Sequence, residues 1–310
     1  MKQHFIALCG GVGGSRLADG LARRLDPDEL TLVVNTGDDF DHLGLRICPD
    51  LDTVLYMLAG LVSGERGWGR EDESWNAHQT LQALGAPSWF QLGDRDIALH
   101  LYRNALLASG RNLSQAMARI AAGLGVRHAP APVTDEATPT TIVTDDGDLS
   151  FQDYFVKHRA DVHVRGVRYG GQAGTILSAG LEAALARPEL AGIIIAPSNP
   201  FLSIGPMLAT GRLRERIAAR NVPVAVVSPY VNGAAVKGPV ERLQRDLGLP
   251  PGDAGVLRHY GDLVDLFFTD SDRIAAPAGV RVVVGDTLMR DAADRANLAS
   301  RILAALGAQA

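Results

Sequence analysis

Two short segments of the chain carry residue types that bind phosphate groups and divalent cations. Residues 10–14 (GGVGG) place four glycines within five residues, directly after the apolar run 5–9. Such a loop lets backbone N–H groups approach a diphosphate at the start of a helix. An acidic segment runs over residues 35–41 (NTGDDFD) and resumes at 49–53 (PDLDT). Because Mg²⁺ is commonly held by one or two carboxylates plus substrate phosphates, the two segments predict metal-assisted chemistry on a diphosphate.

Each segment also has a purely structural alternative. A strand-to-helix turn uses glycine as well, although one turn seldom requires four. Asp50 or Asp52 alone can cap a helix that starts near Thr53, and Asp38 can close a turn. The carboxylates indicate a cation more strongly as a group, because crowded like charges are costly without one.

Three further loops have ligand-binding composition. Residues 196–200 (APSNP) follow an apolar run, and the flanking prolines fix a turn whose Ser and Asn can hydrogen-bond a base or a phosphate. Residues 228–233, with Lys237 nearby, offer another wall for such a site. Residues 92–96 (LGDRD) place an arginine between two aspartates, which suits a phosphate or an acceptor hydroxyl. The alternative there is that Asp94 caps the next helix and that the three tryptophans, Trp68, Trp75 and Trp89, are packing residues.

Composition excludes several classes of function. The 310 residues are 46% hydrophobic and 21% charged, with a net charge of −5 and two cysteines. An acidic balance disfavours nucleic acid as a partner, and two cysteines give no disulfide framework. No apolar stretch approaches the length that spans a bilayer, so we expect a cytoplasmic protein. No paired Cys/His spacing indicates zinc, and no G-x-S-x-G elbow indicates a hydrolase nucleophile.

The elements that must position these loops alternate between strand and helix. Apolar runs predict strands, and spacing near 3.6 predicts the helices between them, which is typical of a Rossmann-like, mostly parallel α/β sheet with helices on both faces. The predicted strands are 5–9, 30–34, 140–143, 192–196, 222–227, 263–268 and 280–284, and the predicted helices of this core are 15–25, 175–186, 204–219, 239–247 and 291–306. We expect one domain over 1–310, with the core at about 1–53 and 135–310. Residues 54–134 are expected to be a helical insertion that caps the ligand edge of the sheet.

The ordered set of motifs resembles the 2-phospho-L-lactate transferase family of deazaflavin coenzyme F-420 biosynthesis. The resemblance rests on residues 10–14, 34–39, 48–53, 68–69, 92–96, 151–153, 196–200 and 203–206. It implies that the ribityl hydroxyl of 7,8-didemethyl-8-hydroxy-5-deazariboflavin (Fo) attacks the distal phosphorus of a guanosine diphosphate conjugate of lactate, enolpyruvate or glycerate. GMP is then released and the F-420-0 precursor forms with Mg²⁺. The resemblance also implies a homodimer with small-molecule substrates and no membrane partner.

Under this resemblance each motif receives a role. The catalytic residues are expected to be Asp38, Asp52 and Arg95, and the metal ligands Asp38, Asp39 and Asp52. Acceptor-binding residues are expected to be Asp50, Asp52, Trp68, Gln91, Asp94 and Arg95. Nucleotide and diphosphate contacts are expected from Gly10, Gly11, Gly13, Gly14, Asn35, Ser198, Asn199 and Pro200. Family members often carry a basic residue where this chain has Gln91.

Two other classes compete with the transferase. A related group shares the glycine-rich opening and is associated with nucleotide-sugar binding and control of cell-wall metabolism, but the acceptor motifs 49–53 and 93–96 have little purpose in such a sensor. A nicotinamide-dependent dehydrogenase requires a different glycine spacing and an acidic residue at the end of the second strand, where Asn35 stands. Binding of Fo, a UDP-sugar or NAD separates the three.

Overall fold

The computed structural model describes residues 2–63, 69–236 and 238–307 of the chain. The strands are β1 (His4–Cys9), β2 (Leu30–Val34), β3 (Phe40–His42), β4 (Leu45–Ile47), β5 (Ala131–Pro132), β6 (Thr140–Thr144), β7 (Gly147–Ser150), β8 (Val164–Tyr169), β9 (Leu190–Ile195), β10 (Val224–Val227), β11 (Tyr230–Val231), β12 (Ala234–Ala235), β13 (Leu266–Thr269) and β14 (Arg281–Val284). The α-helices are α1 (Gly11–Ala22), α2 (Pro49–Leu58), α3 (Asn76–Ala83), α4 (Asp94–Ala108), α5 (Leu113–Gly123), α6 (Ala179–Leu185), α7 (Gly205–Ala209), α8 (Leu213–Ala218), α9 (Val240–Asp246), α10 (Asp253–Tyr260) and α11 (Ala292–Ala305).

A seven-stranded parallel sheet forms the centre of the fold, in the order β14-β13-β10-β9-β1-β2-β5. The chain leaves β1 toward β2 on one side and later returns to β9 on the other side. Strand order therefore reverses between β1 and β9, and in open α/β sheets ligands bind at the carboxyl ends of the strands at such a point. The predicted parallel α/β fold is confirmed.

Both faces of this sheet are buried, as its apolar strands require. Successive residues of β1 alternate between two cores: Phe5, Ala7 and Cys9 pack against α1, α2 and α11, while Ile6 and Leu8 face the opposite layer. Helix α1 packs against both α2 and α11. Helix α1, which carries the glycine loop at its start, thus packs against β1, α2 and α11.

The main departures from the sequence expectation concern one strand and three helices. Residues 140–143 lie in a separate antiparallel sheet, β7-β6-β8, because apolar alternation does not specify the sheet that a strand joins. Helix α2 begins at Pro49, so Asp50 and Asp52 lie in its first turn rather than before it. The expected helix 204–219 is divided into α7 and α8, because Gly211 and Arg212 adopt positive φ. Helix α10 was not predicted. In the described ranges, no helix is long and apolar enough to cross a bilayer.

Candidate active site

A cavity of about 760 Å³ opens at the carboxyl edge of the central sheet. The loops that follow β1, β2, β9 and β10 line one side of it. Helices α2 and α4, the loop before α4 and a π-helix at Asp153–Lys157 line the other side. Residues of the expected helical insertion therefore face the predicted ligand edge.

The glycine loop is packed tightly against the loop that follows β9. A Cβ atom on Gly13 would lie 2.2 Å from the Pro197 carbonyl oxygen, and one on Gly10 would lie 2.5 Å from Oδ2 of Asp50. Glycine is therefore required here for the approach of the protein's own groups. Gly10, Gly11 and Gly13 line the cavity, whereas Gly14 does not.

Ser198 and Asn199 hold the second loop in place. The Ser198 hydroxyl accepts a hydrogen bond from the Gly10 N–H at 3.0 Å and donates to the Gly10 carbonyl at 2.8 Å. The Asn199 side-chain oxygen accepts from the N–H groups of Phe201 (2.9 Å) and Leu202 (3.1 Å). Both side chains line the cavity, but these atoms are already engaged within the protein.

Asp38 and Asp50 form a pair of buried carboxylates joined through Asn35. The Asn35 amide nitrogen donates to Asp38 at 3.1 Å and to Asp50 at 3.0 Å, and the Gly11 N–H donates to Asp50 at 2.6 Å. Burial is the main cause that raises the pKa of Asp38 well above its usual value, and the neighbouring Asp50 carboxylate raises it further. Burial also raises the pKa of Asp50, against the hydrogen bonds that it accepts. Both carboxylates face the cavity.

Asp52 has a cationic partner that the sequence analysis missed. Arg103 on α4 is fully buried; its two terminal nitrogens bind the two carboxylate oxygens of Asp52, and one of them also donates to the Arg46 carbonyl at 3.1 Å. The signal was available in the sequence, because Leu99, Arg103 and Leu106 share one face of α4 at positions i, i+4 and i+7.

His100 completes this buried group. It lines the cavity, and its Nδ1 lies 3.7 Å from Asp52 and 3.3 Å from Arg103. Burial lowers the pKa of His100 to about 4 although the Asp52 carboxylate opposes the shift. The imidazole is therefore neutral near pH 7.

Asp39 lies behind the cavity wall rather than in it. Its Oδ1 has no hydrogen-bond partner in the described structure, and burial raises the pKa of its carboxyl group to about 8. A hydrogen bond with the Cys48 side chain and the charges of Arg46 and Arg103 lower the pKa, but less than burial raises it. The carboxyl group is thus held largely protonated at neutral pH.

The Gly-Asp-Arg-Asp string divides into a structural part and a cavity part. Asp94 accepts hydrogen bonds from the Ser74 hydroxyl (2.7 Å) and the Ala77 N–H (2.9 Å), so it joins the start of α4 to the start of α3. These bonds lower its pKa to about 2. The Arg95 side chain is half exposed and lies 3.8 Å from the Asp72 carboxylate. Neither Asp94 nor Arg95 lines the cavity.

Asp96, which the sequence analysis did not select, is the aspartate of this string that faces the cavity. Its Oδ1 accepts a hydrogen bond of 2.5 Å from the Tyr56 hydroxyl. Burial raises its pKa to about 6; the Tyr56 bond lowers it, and the charges of Asp52 and Glu73 raise it further. Asp96 is therefore a cavity carboxylate that can exchange a proton near neutral pH.

An aromatic wall, formed by Trp89, Phe90, Phe151 and Phe155, borders the cavity. The rings of Phe151 and Phe155 stack at 5.5 Å and 12°, while Trp89 and Phe90 meet edge to face at 5.7 Å. The Lys157 ammonium lies 4.3 Å from the Trp89 ring centroid. This cation–π contact joins the π-helix, which carries Phe155, to the loop that carries Trp89 and Phe90. Residue type alone favours a packing role for Trp89, and only the fold reveals which rings face the cavity.

The remaining sequence-predicted residues are placed as follows. Gln91 lines the cavity beside the aromatic wall, while Asn35 and Pro200 lie behind the lining. Trp68 and Lys237 lie outside the described residues, so their predicted roles stay predictions. The same holds for the acceptor-binding roles of Asp94 and Arg95, whose side chains the fold directs to other partners.

Carboxylates converge most closely at a different place. Within the described ranges, one trio has ligand atoms within 4.8 Å of one another: Asp26, Asp28 and Glu29. It lies in the turn before β2, at the opposite edge of the sheet, and Lys2 and Arg127 pair with Asp26. The trio is a solvated ion-pair cluster without any link to the cavity.

The fold defines an α/β protein with a cavity at the switch point of a parallel sheet, where open α/β sheets bind their ligands. Comparison with known proteins identifies the group: the family model for 2-phospho-L-lactate transferase CofD matches residues 5–285, and the chain belongs to this family. The chain is accordingly a transferase. A member of the UPF0052 family from Bacillus halodurans has the same fold, with a TM-score of 0.63 at 16% identity over 98% of this chain and 99% of that one.

Curated relatives support the assignment over the whole length. A 2-phospho-L-lactate transferase from Methanopyrus kandleri is 38% identical, with 98% of this chain and 97% of the relative aligned. A phosphoenolpyruvate transferase from Kitasatospora aureofaciens is 37% identical, with 96% of each chain aligned. A further 2-phospho-L-lactate transferase, from Methanosarcina mazei, is 33% identical over 97% of this chain and 99% of the relative.

Proposed function

We propose that this transferase moves a phosphoryl group carrying a three-carbon acid from a guanosine diphosphate conjugate to the ribityl hydroxyl of Fo. GMP leaves and the F-420-0 precursor forms, with Mg²⁺ present. The observation that carries the proposal is one cavity bordered by the glycine loop, the Asp38–Asp50 pair and the aromatic wall. These three features suit, in turn, a diphosphate, a divalent cation and a flat aromatic acceptor.

The residues present fit Mg²⁺ at the Asp38–Asp50 pair. Both carboxyl groups are desolvated. The side chains with the strongest influence on the pKa of Asp38 are three other aspartates, and no cationic side chain is among them. Hard oxygen donors in that state gain most from a divalent cation. We therefore propose Asp38 and Asp50 as the ligands. When bound, Mg²⁺ would neutralise charge on the diphosphate. The predicted ligand roles of Asp39 and Asp52 stay predictions, since both lie beside Arg103.

The acceptor hydroxyl is proposed to be activated by Asp96. Asp52 is bound to the cationic Arg103, whereas the Asp96 carboxylate faces the cavity and accepts hydrogen bonds from neutral donors, the Tyr56 hydroxyl and the Gly93 N–H. The hydroxyl oxygen forms a bond to the distal phosphorus while the bond from that phosphorus to the bridging oxygen breaks. GMP leaves with that electron pair, and the hydroxyl proton passes to the Asp96 carboxylate.

The flat ring system of Fo is proposed to lie against the aromatic wall. Phe155 is 39% exposed although its ring stacks on Phe151, so a face remains for a further ring. Offset stacking favours such an arrangement, and the amide of Gln91 lies beside it. In this proposal the acceptor lies on the side of the cavity opposite the glycine loop.

The relatives carry two different donor names at nearly equal identity, 38% and 37%, so a competition assay must identify the acid. Purified protein would receive Fo, Mg²⁺ and equal amounts of the lactyl, enolpyruvyl and phosphoglyceryl conjugates. The products would be read by mass and GMP by chromatography. We expect one dominant F-420-0-type product. Tight binding of a UDP-sugar or NAD without any response of the deazaflavin fluorescence to Fo would refute the transfer reaction.

The metal assignment has its own test. Asp38→Asn and Asp50→Asn are expected to abolish Mg²⁺-dependent GMP release, because each removes a charged ligand. Asp41→Asn is the matched control: its side chain is 72% exposed and pairs with Arg46. If both cavity variants kept the Mg²⁺ dependence of the wild type, Asp38 and Asp50 would not be the ligands.

The homodimer expectation is retained as a proposal that light scattering can test.

A further inference from the structure

Two arginines bind the single acidic residue of helix α1, Asp19, and a third arginine, Arg16, lies three residues before it. Arg23 donates to the Asp19 carboxylate at 2.7 Å, and Arg295 of α11 lies 3.0 Å from the same oxygen. Asp19 thus serves two guanidinium groups. Arg16 lies on α1 between the glycine loop and Asp19. Within the described structure, no ion pair joins it to Asp19.

Arg16 is instead part of the cavity wall. It is half-buried, and burial together with the charge of Arg295 lowers its pKa. Arg16 lies four residues after Val12, on the same face of α1, and helical side chains lean toward the helix N-terminus. We therefore expect its guanidinium to lie toward the first turn of α1, whose N–H groups favour anions.

The charges of the cavity lining make this position unusual. Among the described lining residues the carboxylates are Asp38, Asp50, Asp52 and Asp96, while Arg16 is the one lysine or arginine. A half-buried guanidinium without a carboxylate partner is costly until an anion arrives. The fork of an arginine binds two oxygens of a phosphate or a carboxylate at once.

We infer that Arg16 binds an anionic group of the donor, either a phosphate or the carboxylate of the three-carbon acid. This inference rests on the proposed function, since it takes the guanosine diphosphate conjugate as the donor. Arg16 would thereby hold the donor at the start of α1, across the cavity from the acceptor. It carries no part in the proton transfer assigned to Asp96.

Calorimetric titration without Fo tests the inference, because no turnover occurs without an acceptor. Wild type, Arg16→Gln and Arg23→Gln would each be titrated with GMP, GDP and the lactyl conjugate in the presence of Mg²⁺. Arg23→Gln is the matched control: it removes the same charge at the C-terminal end of the same helix, but Arg23 does not line the cavity. Thermal unfolding would verify that each variant is folded, and Arg16→Lys retains the charge if Arg16→Gln does not fold.

We expect Arg16→Gln to weaken binding of at least one ligand about 10- to 100-fold, the effect of losing a charged hydrogen bond. We expect Arg16→Lys to have an intermediate effect. If all three ligands lose affinity, Arg16 binds the proximal phosphate. If only GDP and the conjugate lose affinity, it binds the distal phosphate. If only the conjugate loses affinity, it binds the carboxylate of the acid. Equal affinities for wild type and Arg16→Gln, or an equal loss in Arg23→Gln, would overturn the inference. If wild type bound none of the three ligands, the proposed function itself would fail.

Discussion

The guanidinium group of Arg103 binds both carboxylate oxygens of Asp52, and the two side chains are 0% and 8% exposed. The pair joins α4, which belongs to the predicted insertion, to the first turn of α2. That turn contacts the glycine loop through the bond from the Gly11 N–H to Asp50. A buried ion pair of this kind fixes a geometry more than it adds net stability, because desolvation offsets the attraction. It thereby sets the position of the insertion relative to the sheet edge.

Arg103→Met should lower the free energy of unfolding by about 3–5 kcal/mol, because it leaves the Asp52 carboxylate buried without a partner. Urea unfolding of the metal-free protein measures the loss. Arg95→Met is the control on the same helix, and since its side chain is half exposed and 3.8 Å from Asp72 we expect a change below about 1 kcal/mol. Equal losses in the two variants would contradict the role given to Arg103.

Asp96→Asn should reduce kcat about 100-fold or more, the usual contribution of a positioned base. Since the pKa of Asp96 is raised to about 6, its carboxylate accepts a proton only above that pH. The wild-type kcat/KM should therefore rise through about pH 6, and the variant should lose this limb. Asp94→Asn is the neighbouring control, expected to lower stability through loss of the bonds to α3 while retaining the pH profile. A wild-type profile that is flat from pH 5 to 7 would contradict the assignment.

Trp89→Ala should raise the KM for Fo roughly 10-fold while the KM for the donor stays unchanged, because the aromatic wall lies on the acceptor side. Steady-state kinetics with each substrate varied in turn give both constants. Trp75→Ala is the control, since Trp75 contacts His78 edge to face and does not line the cavity. An increase in the donor KM alone would place the acceptor elsewhere.

Stability should fall with rising pH because of Asp39. Its pKa is about 8 in the folded protein and about 3.9 when the chain is unfolded, so between these values the folded state retains a proton that the unfolded state releases. This contribution to stability is therefore lost as pH rises from about 4 to 8. Asp39→Asn should show a smaller decline than wild type, measured by urea unfolding with EDTA at pH 5 and pH 8. Parallel declines would show that Asp39 does not carry the linkage.

Sequence patterns predict the loop half of the candidate site, whereas most residues of the insertion half emerge only from the fold, for physical reasons. Gly10, Asp38 and Ser198 follow parallel strands, and the ends of such strands meet at one edge, so their proximity follows from the strand pattern. Arg103 was missed because a charged residue on a helix is normally solvated, and its partner lies 51 residues away. Asp96 rather than Asp94 faces the cavity because a helix turns neighbouring side chains in different directions.

The reciprocal hydrogen bonds between Gly10 and Ser198 join residues that are 188 positions apart. The glycine loop therefore acquires its final shape only after β9 has docked beside β1, long after β1 and α1 are synthesised. Such distant contacts form late in folding, because loop closure must precede them. A nascent chain that ends before β9 lacks the partner that fixes its own first loop. Donor binding would thus report, during synthesis or refolding, the moment at which the centre of the sheet closes.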